Sequence, residues 1–115
     1  METPNLPPFP QQTTLPNLQA YIDAVVKARG WDTDNPETLF LLLGEEVGEL
    51  AKAIRNHQKQ YQESAKAKPT DSRQALAEEL ADVLSYLLHL SNLFGIDLAT
   101  ALHEKEQLNA KRIWH

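Results

Sequence analysis

The sequence predicts an all-α fold, and three observations carry that prediction. Apolar residues recur at three- and four-residue spacing through four separate stretches. Glycine, proline and short polar residues punctuate those stretches where helices start and stop. No alternating strand pattern, hairpin signal or internal repeat at solenoid periods occurs in the chain.

Five of the seven prolines, Pro4, Pro7, Pro8, Pro10 and Pro16, fall at the N-terminus. Their fixed φ angles and missing amide donors oppose both helix and sheet, so residues 1–16 are expected as an extended or disordered arm ahead of a helical domain over 17–115. Such an arm is either a partner-binding polyproline segment or, more commonly, a tail that is loose or draped on a neighbour.

The first helix is expected over Leu18 to Arg29, where Leu18, Tyr21, Ile22, Val25 and Val26 share a face and Gly30 stands at the C-terminal cap. Trp31 follows in a turn-rich stretch, in which Asn35 or Asp34 is placed to cap the next helix and Pro36 suits its first turn. The second helix should run from about Glu37 to Gln60 with a stripe of Leu39, Leu42, Leu43, Val47, Leu50 and Ile54. Periodicity then fails in the polar segment from Gln60 to Ser72, which reads as a solvated loop. The third helix, from about Ser72 to Leu93, carries Leu76, Leu80, Val83, Leu84, Leu87, Leu90 and Phe94 and ends at Gly95. With Asp97 as its cap, the fourth continues through Leu98, Leu102 and Leu108 towards Arg112.

The chain has 115 residues, 16 acidic against 11 basic for a formal net charge of -5, and no cysteine. Disulfide frameworks, thiolate nucleophiles and cysteine zinc sites are therefore excluded. Net acidity argues against a nucleic-acid polymer as partner, because affinity for a polyphosphate backbone comes from clustered Lys and Arg. No basic, apolar leader opens the sequence and no run approaches the roughly 18 apolar residues of a membrane helix, so no membrane partner and a cytoplasmic location are expected.

Carboxylates interrupt two of the apolar stripes. At about 100° per residue, Glu46 falls inside the arc of Leu39, Leu43, Leu50 and Ile54, and Glu49 lies at its edge. On the third helix Glu79 borders Leu76, Val83 and Leu90, with Asp82 three residues on and Tyr86 one turn further. An ionised carboxylate without a partner is costly to bury, and like charges at i, i+3 repel unless a cation lies between them. Two facing helices with four such groups offer oxygen-only coordination, which suits Mg²⁺ or Mn²⁺ better than Zn²⁺. A di-iron bundle needs Glu-x-x-His pairs, and none of His57, His89, His103 or His115 has a Glu three residues before it.

Lys105, Asn109 and Arg112 project from one face of the fourth helix and continue the line of Leu98 and Leu102. They suit an anionic ligand or simply the acidic helices, and a phosphate between them and a carboxylate-held cation satisfies both sets of charge. Trp31, Tyr86 and Trp114 are the candidates for stacking on a base, Tyr86 foremost because it lies beside the acidic pair. Gly44 and Gly48, unfavourable in a helix interior, point to close helix contact or to access to the carboxylates.

The run Glu45-Glu46-Val47-Gly48-Glu49, with Glu78-Glu79-Leu80-Ala81-Asp82 after it, resembles the EExxE and ExxD signature of the all-α nucleotide pyrophosphohydrolases, the MazG-like superfamily. Lys105, Asn109, Arg112 and Trp114 resemble that family's last-helix positions, and the Arg29-Gly30-Trp31 turn looks like its dCTP pyrophosphatase branch. The likeness covers roughly residues 18 to 114. It departs at Ile54-Arg55-Asn56-His57, which lacks the second Trp often carried there.

This resemblance implies a four-helix bundle assembled as a homodimer or homotetramer, with pockets completed across the interface. It implies hydrolysis of a nucleoside triphosphate between the α and β phosphates to the monophosphate and pyrophosphate, as a housecleaning enzyme for pyrimidine or modified dNTPs. Mg²⁺, or Mn²⁺, would be held by Glu46, Glu49, Glu79 and Asp82, polarising the phosphate and lowering the pKa of an attacking water. Glu45 or Glu78 would orient that water or take its proton. Lys105, Asn109 and Arg112 would hold the phosphates, and Tyr86 with Trp31 would line the nucleoside pocket. The competing readings are an idle nucleotide or metal sensor on the same bundle, and an acidic helical interaction module.

Overall fold

The computed structural model describes residues 5–31, 35–63 and 69–112. Among the described residues there are four helices: α1 (Leu15–Ala28), α2 (Pro36–Glu63), α3 (Pro69–Leu93) and α4 (Leu98–Ala110). No strand occurs among the described residues, in keeping with the all-α reading. Packing divides the chain into two compact units, one of residues 1–34 with 88–115 and the other of residues 35–87.

Helix ends follow the capping chemistry more closely than the apolar periodicity. α1 begins at Leu15 rather than Leu18, because Thr14 Oγ1 accepts the Asn17 amide at 3.2 Å. Pro16 is tolerated in the first turn, where the amide it lacks has no helical acceptor. Asn35 caps α2, its Oδ1 accepting from the Thr38 amide at 3.1 Å. The expected polar loop is shorter than periodicity suggested, since α2 continues to Glu63 and α3 already starts at Pro69. Asp34 as an alternative cap, Trp114 and His115 lie outside the described residues.

Both predicted glycine stops are realised. Gly30 has φ 69° and Gly95 φ 64°. In each case the following amide reaches back five residues, Trp31 N–H to Val26 O at 2.8 Å and Ile96 N–H to Ser91 O at 2.9 Å, closing a left-handed helix terminus that L side chains resist.

In the unit formed by α1, the end of α3 and α4, Val26 and Leu88 are buried and α1 packs against α4. Phe9 of the arm sets its ring edge-on against Tyr21, centroids 5.1 Å apart. Asn17 Nδ2 donates to Gln12 O at 2.9 Å, so this part of the arm is draped on its own first helix. In the other unit the buried apolar residues are Leu39, Leu43 and Ala53. The expected stripes are only partly interior: Leu42, Val47 and Ile54 on α2 and Leu80, Leu84, Leu87 and Phe94 on α3 and its end are exposed. Periodicity finds an apolar face but not whether the same chain covers it.

Candidate active site

Within the unit of residues 35–87, α2 and α3 bring three carboxylates together. One oxygen each of Glu46, Glu79 and Asp82 lies within 4.8 Å of the others, with Glu46 and Glu79 half-buried and Asp82 exposed. Glu46 is there because its wheel position lies between Leu43 and Leu50, a buried and a half-buried residue of the same helix. Glu79 and Asp82 share a face of α3 through their i, i+3 spacing.

Among the described residues, every charge that acts on Glu46 is acidic. The carboxyl of Glu46 is raised above its ordinary 4.5, first by loss of solvent, then by the Asp82 charge, a hydrogen bond to Glu79, and the charges of Glu79 and Glu49. Tyr86 is raised above 10.0 by burial and then by the charges of Glu46, Asp82 and Glu45, so its phenol remains a donor at neutral pH. Among the described residues one buried side-chain oxygen has no hydrogen-bond partner, Oε2 of Glu79. An orphaned acceptor on one of three convergent carboxylates fits a hard divalent cation.

The other sequence candidates fall as follows. Glu49 lies outside the three-residue set, exposed, with its charge still acting on Glu46. Glu45 is exposed, and its charge reaches Tyr86. Glu78 is exposed and lies 3.5 Å from Gln74 Nε2. Gly44 and Gly48 face open space, a Cβ on either meeting nothing within 4 Å, so close helix contact within the chain does not explain them.

Trp31, Lys105, Asn109 and Arg112 belong to the unit of residues 1–34 and 88–115. Trp31 is 58% exposed beneath the Arg29 guanidinium, 4.9 Å from the ring centroid. The expectation that the basic residues continue a core-facing line needs correction. No residue of α4 is buried, Leu102 and Lys105 are exposed, and only Asn109 of the three is half-buried, its Nδ2 3.4 Å from Glu106 Oε1. A helix of 13 residues with solvent along most of its length presents those groups outward.

Two polar clusters went unnoticed in the sequence. His57 Nδ1 and Ser72 Oγ are 2.8 Å apart, tying α2 to the first turn of α3. Gln19, 7% exposed, bonds to the turn between α3 and α4. A Gln on the face shared by Leu15 and Ile22 is the signal that was available for the second. No single described helix is long and apolar enough to cross a membrane.

Comparison with known proteins adds an independent line. The MazG nucleotide pyrophosphohydrolase domain matches residues 34–112. Mouse (Mus musculus) dCTP pyrophosphatase 1 is 33% identical over 105 residues, 90% of this chain and 61% of that protein. The human (Homo sapiens) protein of the same name is 32% identical over 109 residues, with the same coverage. The uncharacterized protein YvdC of Bacillus subtilis is 25% identical over 103 residues, 88% of this chain and 97% of its own length. The chain thus spans less than two thirds of the dCTP pyrophosphatases it matches.

Proposed function

The chain belongs to the MazG nucleotide pyrophosphohydrolase family, and on that premise we propose that it hydrolyses (d)NTPs, pyrimidine or modified dNTPs foremost, to the monophosphate and pyrophosphate. The observation that carries this reading is the convergence of Glu46, Glu79 and Asp82, one of which, Glu79, also has a buried oxygen without a hydrogen-bond partner among the described residues. A family match alone leaves open whether a given chain still holds its metal; three carboxylates within 4.8 Å speak for an active member over an interaction module.

Glu46, Glu79 and Asp82 would hold Mg²⁺ or Mn²⁺, with Glu49 joining from the same helix as Glu46. A divalent cation there supplies the charge that offsets the polyphosphate and favours ionisation of water. Water cleaves the α–β anhydride, the bridging oxygen leaves with pyrophosphate, and one proton passes to a carboxylate. Glu45 or Glu78 would take that proton or orient the water. Tyr86, kept protonated, donates a hydrogen bond and offers a ring face to the nucleoside, with Trp31 as the second aromatic candidate. Lys105, Asn109 and Arg112 are the phosphate-holding groups. Similarity to dCTP pyrophosphatase 1 favours a pyrimidine substrate.

A homodimer or homotetramer, acting in the cytoplasm, is part of the same reading. Phe40, Leu41, Val47, Leu80, Leu84 and Leu87 are exposed on α2 and α3, and exposed apolar side chains of this number support assembly. Sedimentation at a monomer's 13.0 kDa would count against assembly.

The deciding experiment measures pyrophosphate and monophosphate from a panel of NTPs and dNTPs, with Mg²⁺ and with EDTA, for the unaltered chain and Glu79→Gln. Both products appearing together, and vanishing on chelation and in the variant, is the expected result. A folded chain that binds Mg²⁺ yet releases no pyrophosphate from any nucleotide is a sensor instead.

A further inference from the structure

We propose that Gln19 and Asn92 are positioning residues for α4, which carries Lys105 and Asn109 and leads into Arg112 two residues beyond its end. The inference rests on the phosphate-holding role proposed above for those three residues.

The first turn of α4 lacks the cap its sequence announces. Asp97 occupies the N-cap position, but its carboxylate bonds no backbone amide; Oδ2 accepts from the Thr100 hydroxyl at 2.7 Å instead. The Leu98 amide is claimed from another helix: it donates to Gln19 Oε1 at 3.0 Å. The same side-chain amide uses Nε2 to donate to Ile96 O at 2.8 Å, Ser91 Oγ at 2.9 Å and Asn92 Oδ1 at 3.2 Å. Asn92 answers through Nδ2, which donates to Gln19 O at 2.9 Å. Ser91 passes its own proton to Leu88 O at 2.7 Å.

This is more than a cap. Gln19 grips the turn on both sides of Ile96, through the carbonyl before α4 and the first amide within it, while Asn92 anchors the end of α3 to the α1 backbone. The direction in which α4 leaves the turn is thereby set by a residue of α1. Both ends of the Gln19 amide are bonded, Oε1 to the Leu98 amide and Nε2 to acceptors on the turn, so losing the side chain leaves partly buried groups short of bonds. At 1.5 Å per residue Asn109 stands about 16 Å beyond Leu98, and a tilt of about 5° at the turn moves it by about 1.4 Å. Displacement of about 1 Å is enough to cost on the order of a hundredfold in a positioned reaction.

The test uses three measurements on the full chain. Gln19→Met removes both ends of the clamp while keeping the side-chain volume, and Asn92→Leu removes the Nδ2 donor without adding a charge should the first variant fold poorly. Calorimetric binding of inorganic pyrophosphate with Mg²⁺, the KM-against-kcat split for the nucleotide, and Mn²⁺ binding at the carboxylates are compared. A positioning role predicts pyrophosphate binding weaker and KM higher by about tenfold, the size expected for a lost buried hydrogen bond, with Mn²⁺ affinity unchanged. Lys105→Ala is the control. If it weakens pyrophosphate binding and the Gln19 and Asn92 variants do not, the positioning inference is overturned while the phosphate-holding role stands. If Lys105→Ala has no effect, the role of the α4 face falls first. In the Lys105→Ala background, Gln19→Met should add less than it does alone; full additivity opposes the inference. On the unaltered chain, the Leu98 amide should resist hydrogen exchange as strongly as the α1 interior, and rapid exchange there would overturn the clamp whatever the variants do.

Discussion

Glu46 of α2 and Glu79 of α3 hold carboxylate oxygens within 4.8 Å of each other, and Oε2 of Glu79 is buried with no hydrogen-bond partner among the described residues. A chain selected for stability alone would not retain this pair. Glu79→Gln should therefore separate stability from function. The amide relieves the repulsion and can donate to Glu46, raising the melting temperature of the metal-free chain by a few degrees, the equivalent of about 1 kcal/mol. The rise produced by Mg²⁺ or Mn²⁺, about 2.7 kcal/mol at a hundred times Kd, should vanish together with pyrophosphate release. Thermal melts with and without metal decide it; a metal-free variant less stable than the parent would show that Glu79 is a structural acid.

The pH dependence has a definite sign. Glu46 titrates above 4.5 in the fold, so it binds its proton more tightly there than in the unfolded chain. Its favourable contribution is full below the unfolded value and is lost as pH rises through the folded one. Metal-free protein should thus lose stability from this group as pH increases, and Glu46→Gln should lack that component. Excess Mg²⁺ should reverse the trend, because the cation requires the ionised form. Melting curves between about pH 4 and pH 8, with EDTA and with Mg²⁺, read both slopes.

What the sequence disclosed, and what it withheld, follows from range. Helix identity and the stops at Gly30 and Gly95 depend on residues within one turn, and both were legible. Glu46 was legible too, since an acid inside its own helix's apolar arc needs no knowledge of the neighbour. The Gln19 clamp was not: its partners Ser91, Asn92, Ile96 and Leu98 are distant along the chain, and a buried glutamine resembles a surface one until the packing is known. Asp97 stands at the N-cap as expected, but its carboxylate makes no capping bond, and the Leu98 amide bonds Gln19 instead. The stripes of α2 and α3 gave the apolar faces but not the exposure of Leu80 or Leu84, which depends on what lies opposite.

Ser72, 6% exposed, meets His57 at 2.8 Å, and this bond joins α2 to α3 along the helices from the carboxylates. Ser72→Ala should cost about 1 kcal/mol by removing the hydrogen bond between the two helices. Turnover at temperatures where the variant is folded should stay near that of the parent. Urea denaturation and kcat measured side by side test both halves, and a selective loss of kcat would mean that the pair belongs to the site.

The glycines make opposite predictions although all four lie in or beside helices. Gly95 holds φ at 64°, a conformation that costs an L residue roughly 1–2 kcal/mol, so Gly95→Ala should destabilise the chain by about that amount. Gly44 has helical backbone and open space where a Cβ would stand. Within one chain, Gly44→Ala should therefore gain up to about 1 kcal/mol from helix propensity. If instead a second copy packs closely on that face, the added methyl must be absorbed by the interface, and stability becomes dependent on protein concentration. Denaturation of Gly44→Ala at two concentrations differing about a hundredfold distinguishes the cases, since RT ln of that ratio is about 2.7 kcal/mol for a dimer and zero for a monomer. We expect the concentration dependence, with the alanine gain visible only at the dilute end, because the exposed Phe40 and Leu41 precede Gly44 on the same helix and give an interface its apolar surface.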